Sequence, residues 1–513
     1  MASFESRMNT FRQKKELALQ MGGEKKLRLY KEAGLLNARE RLDFALDKGT
    51  FLEVGLFSHS DQPAMANCSP CDGKVCGFGK IDSRPVIAMS CDLTVLGASS
   101  AAVNGKKMGY CKRMSCERGI PFFFMGEAGG ARMPDIMGAR GMVTQLGNDP
   151  IQYQRLREAP WVACMLGPCY GSPTWYTMMS DFRVQRKGAI LAVSSPKVTS
   201  LATGESVDPE TLGGWRLHAE VTGLADAVGE SDQECIQIAK KFLSFLPTNS
   251  QLPPPVVPVP AGSGDGMANI LDLLPENPRS GYDIRKVLRI IIDGGDLFEL
   301  KERFGRSVVT ALARIGGKSV GIIANNPRHI AGALDADACE KITSFIVLCD
   351  SYNIPIVMFV DTPGFLVGKA GEERKVTGKI INFMNALTLV TVPKITIIVR
   401  KTYGQAFLNM GGGRNSDTIV AWPTAEISFM DPETGVNVVY NVRKEKDPEK
   451  FQEKMKIMSK DTAPWDAAGI FNLNDVIDPT QTRDWLCDML DYHTNRRTGG
   501  IGKHLMHSWP TSY

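Results

Sequence analysis

Two unbroken apolar runs, Phe122-Phe123-Phe124-Met125 and Ile356-Val357-Met358-Phe359, predict strands buried on both faces of a mainly parallel sheet. Each run ends in a carboxylate and a turn of small residues: IPFFFMGEAGGARMP at 120–134 and IPIVMFVDTPGFLVG at 354–368. Charged amphipathic stretches predict helices at 11–20 and 37–46, with Gly22-Gly23 breaking the chain between them. Residues 73–92 predict two strands joined at Asp82-Ser83, and 96–119 a helix leading into the core strand at 120–127. A break follows at Asp149-Pro150, then a strand and turn over 161–173 and a strand over 189–195. The second half repeats this order. It predicts a helix at 284–292, strands near 308–314 and 318–324, a helix at 338–351 and a core strand at 355–361. A helix at 374–389, a strand at 395–400, the Tyr403 turn, a strand at 426–430 and helices at 447–460 and 482–492 complete it. Alternation of this kind indicates βαβ units and an α/β fold.

The two halves are in register. A shift of 234 residues places Ile81 on Ile315, Lys107 on Lys341, Ile120-Pro121 on Ile354-Pro355 and Gly130 on Gly364. Further upstream a shift of 246 places Arg39 on Arg285, Leu42 on Leu288, Asp47 on Asp293, Gly49 on Gly295 and Glu53 on Glu299. Tyr170-Gly171 and Tyr403-Gly404 follow the core strands at similar distance. The expectation is a duplicated domain, 1–250 and 251–513, joined through the proline-rich stretch 247–266.

Composition changes this picture little. With 43% apolar and 23% charged residues, the 513-residue chain reads as globular, and a net charge of +4 gives no basic stripe for nucleic acid. Fifty glycines point to many turns with unusual backbone angles. The twelve cysteines form no paired framework; Cys111, Cys116 and Cys349 sit in apolar segments, as in a reducing compartment. Cys68-Ser-Pro-Cys71 has zinc-knuckle spacing, but Cys76 and Cys91 do not supply a second pair, so no metal is expected. The charged N-terminus (Lys14, Lys15, Glu16) and the lack of long apolar runs lead us to expect no membrane span. The expected location is cytoplasmic, with the mitochondrial matrix as the second possibility.

The glycine-bearing turns offer outward backbone N–H groups, the donors that make an oxyanion hole. Glu127, Asp361 and Glu205 invite a general acid/base reading, against which Glu127 and Asp361 read more simply as strand-end residues capping the next helix. The six histidines make no pair at metal spacing, and neither a nucleophile elbow nor a phosphate loop occurs. Lys454-Met455-Lys456 has a biotinyl-lysine neighbourhood but lies in a charged helical stretch, and reads as surface. What remains is oxyanion-type turns without an obvious protein base, which fits a reaction whose base comes from a cofactor or second substrate.

AGGAR (128–132), DTPGFLVG (361–368), TVPKITIIVRKTYG (391–404), AWPTAEISFM (421–430), ATGE (202–205), LGG (212–214) and ARERLDFALDKGTFLEVG (38–55) resemble one family over nearly the whole chain. It is that of the carboxyltransferase (β) subunits of biotin-dependent acyl-CoA carboxylases, of the propionyl-CoA/acetyl-CoA type. The resemblance implies two crotonase-like domains in a homo-oligomer, commonly a hexamer. It implies transfer of a carboxylate from carboxybiotin to the α-carbon of an acyl-CoA, with the freed ureido nitrogen taking the α-proton. Biotin is then carried by a separate biotin carboxylase/biotin carboxyl carrier subunit, and coenzyme A arrives as part of the substrate. One oxyanion hole serves the thioester enolate and the other the biotin enolate. Carried over by motif, the catalytic pairs are Gly129-Gly130 and Gln405-Ala406. The substrate-binding residues are Ala128, Arg132, Gly171, Pro363, Gly364, Phe365, Tyr403, Gly404, Phe407 and Leu408.

The chain departs from the family pattern at several places. Gln405 stands where the family usually has Gly, Glu127-Ala128 where it has Asp-Ser, and Met430-Asp431-Pro432 where it has Met-Gly-Ala; the helix at 374–389 lacks its Gly-Ala pair. Three other readings stay open at this point: a biotin-dependent decarboxylase or transcarboxylase, a biotin-independent crotonase-type acyl-CoA enzyme with a working carboxylate such as Glu127, and a scaffold subunit with a decayed site.

Overall fold

The computed structural model describes residues 3–146, 153–494 and 502–509; the break at Asp149-Pro150 lies outside them. The chain separates into two compact units, one running to Leu252 and the other from Pro253 to Trp509.

The first unit is built on a sheet of β1 (Leu52–Val54), β2 (Lys74–Ile81), β3 (Arg84–Cys91), β4 (Phe122–Ala128), β5 (Trp161–Tyr170), β6 (Phe182–Arg186), β7 (Ile190–Ala192) and β8 (Ala227–Gly229). Its order is β1-β2-β3-β4-β5-β6-β8, with β7 beside β5. β1 to β3 are antiparallel and the pairs from β3 onward are parallel. Every residue of β4 is buried, as its unbroken apolar run requires. Phe122 packs 4.9 Å from Trp161, and Phe182 stacks 4.3 Å from Phe242 of the helix Asp232–Phe245.

The second unit repeats the design. Its strands are β9 (Phe298–Leu300), β10 (Val308–Ile315), β11 (Lys318–Asn325), β12 (Ile356–Thr362), β13 (Lys394–Tyr403), β14 (Thr418–Ala421), β15 (Glu426–Ser428) and β16 (Asp475–Val476). The order β9-β10-β11-β12-β13-β14-β16, with β15 beside β13, is that of the first sheet. β4 and β12 occupy the fourth place in their sheets and differ by 234 residues position for position.

The residues shared between the halves hold equivalent joints. Asp47 accepts from the N–H groups of Asp82 and Ser83 at the β2–β3 turn, and Asp293 from those of Gly316 and Gly317 at the β10–β11 turn. Arg39 makes two bonds to Glu53, as Arg285 does to Glu299. Lys107 and Lys341 are both buried and donate to backbone carbonyls.

Three expectations need correction. The first 47 residues hold three helices, Phe4–Leu19, Glu24–Glu32 and Ala38–Ala45; the middle one, a short helix beyond the Gly22-Gly23 break, buries none of its residues. The strand expected over 426–430 stops at Ser428, because Asp431 turns the chain and caps the helix Pro432–Tyr440 by accepting from Thr434 N–H at 2.9 Å. The proline-rich stretch is no free tether: Val256 bridges Lys318, and Val257 N–H donates to Gly317 O at 3.0 Å.

Candidate functional site

Two kinds of turn lie at the carboxyl ends of the core strands. The first follows β4 and β12. Gly130 has φ 111° and Gly364 φ 123°, a region closed to most side chains, which accounts for the glycine at both places. Ser100 N–H donates to Gly130 O at 2.9 Å and Leu334 N–H to Gly364 O at 3.0 Å, so both turns are tied to the loop after the preceding strand. Their donors differ. Gly129 N–H is spent on Gly97 O at 2.8 Å, whereas Gly130 N–H has no partner among the described residues. Gly364 N–H turns back on Thr362 Oγ1, and Pro363 has no N–H to offer. Of the donor pair expected at Gly129-Gly130, one therefore stays open.

The second kind follows β5 and β13. Gly171 (φ 73°, ψ −130°) and Gly404 (φ 59°, ψ −145°) take the same glycine-specific conformation and start short helices, Ser172–Met178 and Gln405–Asn409. Gln405 itself is helical, so the side chain that replaces glycine leaves its backbone N–H in place. The N–H groups of Gln405 and Ala406 lie in the first turn of that helix and have no partner among the described residues. In the first unit Ser172 and Pro173 occupy these positions, and proline removes the second donor.

The strand-end carboxylates are not free bases. Glu127 Oε1 lies 2.8 Å from Arg41 Nη1 and 3.3 Å from the Tyr30 hydroxyl, which donates to it. Arg41 Nε donates in turn to Asp232 at 2.9 Å, with Arg186 3.1 Å from that carboxylate's other oxygen. Burial, with the Glu127 charge beside it, pushes the Tyr30 pKa well up, so Tyr30 stays a neutral donor. Asp361 is held by Arg400 Nε at 2.8 Å and Lys401 Nζ at 2.9 Å. Neither caps a helix. Each balances a buried cation instead. Glu205 lies exposed after the helix Pro196–Thr203.

Several carried-over residues support the turns rather than line them. Arg132 is 3% exposed; its Nη1 pairs with Asp72 at 2.6 Å and Asp135 at 3.3 Å, and its other nitrogens donate to Ser99, so each guanidinium nitrogen is engaged within the protein. Ala128 is buried opposite Cys169 on β5, and the Tyr403 hydroxyl donates to Glu426 at 2.7 Å. Pro363 is exposed, while Phe365, Phe407 and Leu408 are half-buried. Gln405 is exposed, and its amide donates along the helix to Asn409, which donates to Ile380 O. Tyr30, Arg41, Asp232, Arg400 and Asn409 were not legible as site residues, since each acts through a partner distant in sequence or through a helical neighbour. Lys454 and Met455 lie on the helix Pro448–Met458, with the Lys454 ammonium 5.3 Å from the Tyr440 ring, which is no biotinylation hairpin. No described helix is long and apolar enough to cross a membrane.

The model of the carboxyl transferase domain matches residues 30–504. The chain belongs to the carboxyl transferase family. This carboxyltransferase is 34% identical to the methylmalonyl-CoA carboxyltransferase 12S subunit of Propionibacterium freudenreichii subsp. shermanii, over 98% of this chain and 97% of that one. It is also 34% identical to the propionyl-CoA carboxylase carboxyltransferase subunit of Haloferax mediterranei, over 98% and 99%. The crystal structure of transcarboxylase 12S, described as a hexamer with methylmalonyl-coenzyme A and methylmalonic acid bound, matches with a TM-score of 0.90 at 34% identity, over 97% of each chain. The carboxyltransferase thus has the duplicated crotonase-like fold that the resemblance implied.

Proposed function

We propose that this carboxyltransferase moves a carboxyl group from carboxybiotin, held on a separate carrier subunit, to the α-carbon of an acyl-CoA. Biotin supplies the carboxyl group and, once relieved of it, a basic nitrogen for the α-proton. The chain's own part is electrostatic. Gly130 N–H at one turn, and Gln405 and Ala406 N–H at the other, meet oxygens on which negative charge develops. The thioester is assigned to the Gly130 turn and the biotin ureido oxygen to Gln405-Ala406. Fixed backbone donors cost no reorganisation as the charge forms, and Arg132, with Asp72 and Asp135, holds the first turn rigid.

The observation that carries this reading is the pairing of both strand-end carboxylates with arginine, beside backbone N–H groups that remain open. It speaks against a hydratase-type mechanism, which needs Glu127 as a working base. A transcarboxylase or decarboxylase role is the second reading, favoured by the equal identity to the 12S subunit. Oligomerisation, as a hexamer, and a biotin carboxylase partner belong to the same proposal.

Carboxylation of an acyl-CoA panel with the carrier, biotin carboxylase, ATP and labelled bicarbonate tests it, with and without avidin. Avidin-sensitive label in one acyl-CoA is expected. Avidin-insensitive turnover, or no label in any acyl-CoA, overturns the proposal; carboxyl exchange between acyl-CoA and a keto acid without ATP marks the second reading.

A further inference from the structure

Lys74 and Cys91 face each other across the β2–β3 hairpin, the first cross-strand pair of its register. Lys74 is 4% exposed and Cys91 is fully buried. Lys74 Nζ lies 3.2 Å from Cys91 Sγ and donates to Ala98 O at 2.9 Å. The second unit shows what the Ala98 bond is for. There Asn325, at the register position of Cys91 and opposite Val308 at that of Lys74, donates from Nδ2 to Gly332 O at 3.2 Å, so each unit holds this loop carbonyl with a buried side-chain donor, from opposite members of the cross-strand pair. An amide does that work in the second unit. In the first, the donor is a primary amine in contact with a thiol, a combination the loop carbonyl alone does not require.

We infer that Lys74 and Cys91 form an oxidative modification site, a covalent N–O–S crosslink made with dioxygen. Overall the Lys74 ammonium, the Cys91 thiol and one dioxygen give the bridge, one water and one proton released to solvent. The amine nitrogen and the thiol sulfur each lose one hydrogen and are each oxidised by two electrons. One oxygen atom bridges them as Nζ–O–Sγ, and the other leaves as water with the two hydrogens, so one dioxygen accepts all four electrons. The register keeps the two atoms together without any backbone movement. The competing product, a disulfide from Cys91 to Cys169, is opposed by burial, which pushes the Cys169 thiol up to about 12 and leaves it protonated and unreactive. After crosslinking, the nitrogen loses its charge and keeps one hydrogen. Its hold on Ala98 O weakens, next to the Gly97 carbonyl that anchors Gly129.

Intact-mass and peptide mass spectrometry of the full chain, stored under isotopically heavy dioxygen, tests this without any activity assay, so it stands apart from the proposed reaction. The expected product gains one heavy oxygen and loses two hydrogens, resists trypsin after Lys74, joins the peptides holding Lys74 and Cys91, and reverts with dithiothreitol. Cys91→Ser and Lys74→Arg, each checked for an unchanged melting temperature, abolish it; should Lys74→Arg fail to fold, Cys91→Ser and the wild-type peptide map decide alone. Oxygen confined to Cys91, a Cys91–Cys169 disulfide, or no mass change would each overturn the inference.

Discussion

Arg400 Nε donates to Asp361 Oδ2 at 2.8 Å, and both side chains are almost wholly buried. Arg400 occupies on β13 the position that Gly167 occupies on β5, because Ile356 pairs with Lys394 as Phe122 pairs with Trp161. The two units thus solve one problem in two ways. In the second a short acid meets an arginine from the neighbouring strand. In the first a longer acid, Glu127, extends over a glycine to reach Arg41. Arg400 also donates to Ser280 O and stacks 4.7 Å from the Tyr282 ring. Removing Arg400 leaves the buried Asp361 charge with Lys401 as its one remaining cation among the described residues. Arg400→Met is expected to cost roughly 3–5 kcal/mol, and adding Asp361→Leu to recover much of it. Urea unfolding of the single and double variants checks this; equal stability of Arg400→Met and wild type would mean the pair is not closed to water.

Gly167 follows the same logic. A Cβ there would lie 2.5 Å from Glu127 Oε2. Gly167→Ala is expected to destabilise the protein by roughly 1–3 kcal/mol as the carboxylate is pushed off Arg41. Combined with Glu127→Asp the loss is less than the sum of the two single losses, as expected for groups in contact. Melting temperatures of the three variants read this out.

Lys341 is fully buried, and desolvation pulls its pKa down from 10.5 to about 8, against the pull of Glu299 3.8 Å away. Below pH 8 the group is charged in both the folded and unfolded chain, and the folded state bears the full cost of burying that charge. Between pH 8 and 10.5 the unfolded chain still binds the proton and the folded chain does not, so stability attributable to Lys341 rises with pH. A neutral amine still has two hydrogens for Phe304 O and Val308 O. The difference in unfolding free energy between wild type and Lys341→Met is expected to shift in favour of wild type across this window. A difference independent of pH would mean the amine keeps its proton.

Acyl selectivity is expected to follow the short helix at Gln405–Asn409. Leu408 is half-buried there and offers an apolar surface worth ~0.8 kcal/mol per buried methylene, about fourfold in kcat/KM per carbon. Leu408→Asp is expected to shift the ranking among acyl-CoAs towards small ones, and Gln405→Gly to broaden it. Equal loss across the panel, with unchanged ratios, would assign both residues to the fold.

Most of the architecture was legible because the strands carry their own signal. β4 and β12 are apolar throughout, and Asp47/Asp293, Arg39/Arg285 and Lys107/Lys341 recur because each pair secures an equivalent joint. Elements of mixed pattern escaped, among them the helices Glu24–Glu32 and Pro432–Tyr440 and the short strands β6 and β14. At the site, sequence marked the glycine turns but not which N–H groups stay open, since Gly129 is engaged by Gly97, a partner set by the fold. Nor did it show that Arg132 is buried against Asp72 and Asp135, because a buried arginine and an exposed one look alike in sequence.

The central claim is that backbone N–H groups at the strand-end turns, not a side-chain base, carry the chemistry. Ala406→Pro tests it most directly. Proline deletes one N–H from the first turn of the helix Gln405–Asn409, and Pro173 occupies the same place in the first unit, so the backbone accommodates it. Single-turnover carboxylation of the preferred acyl-CoA should fall by ~10²–10³ with the melting temperature held, the cost of one lost oxyanion donor. Wild-type turnover by a folded Ala406→Pro protein would contradict the account.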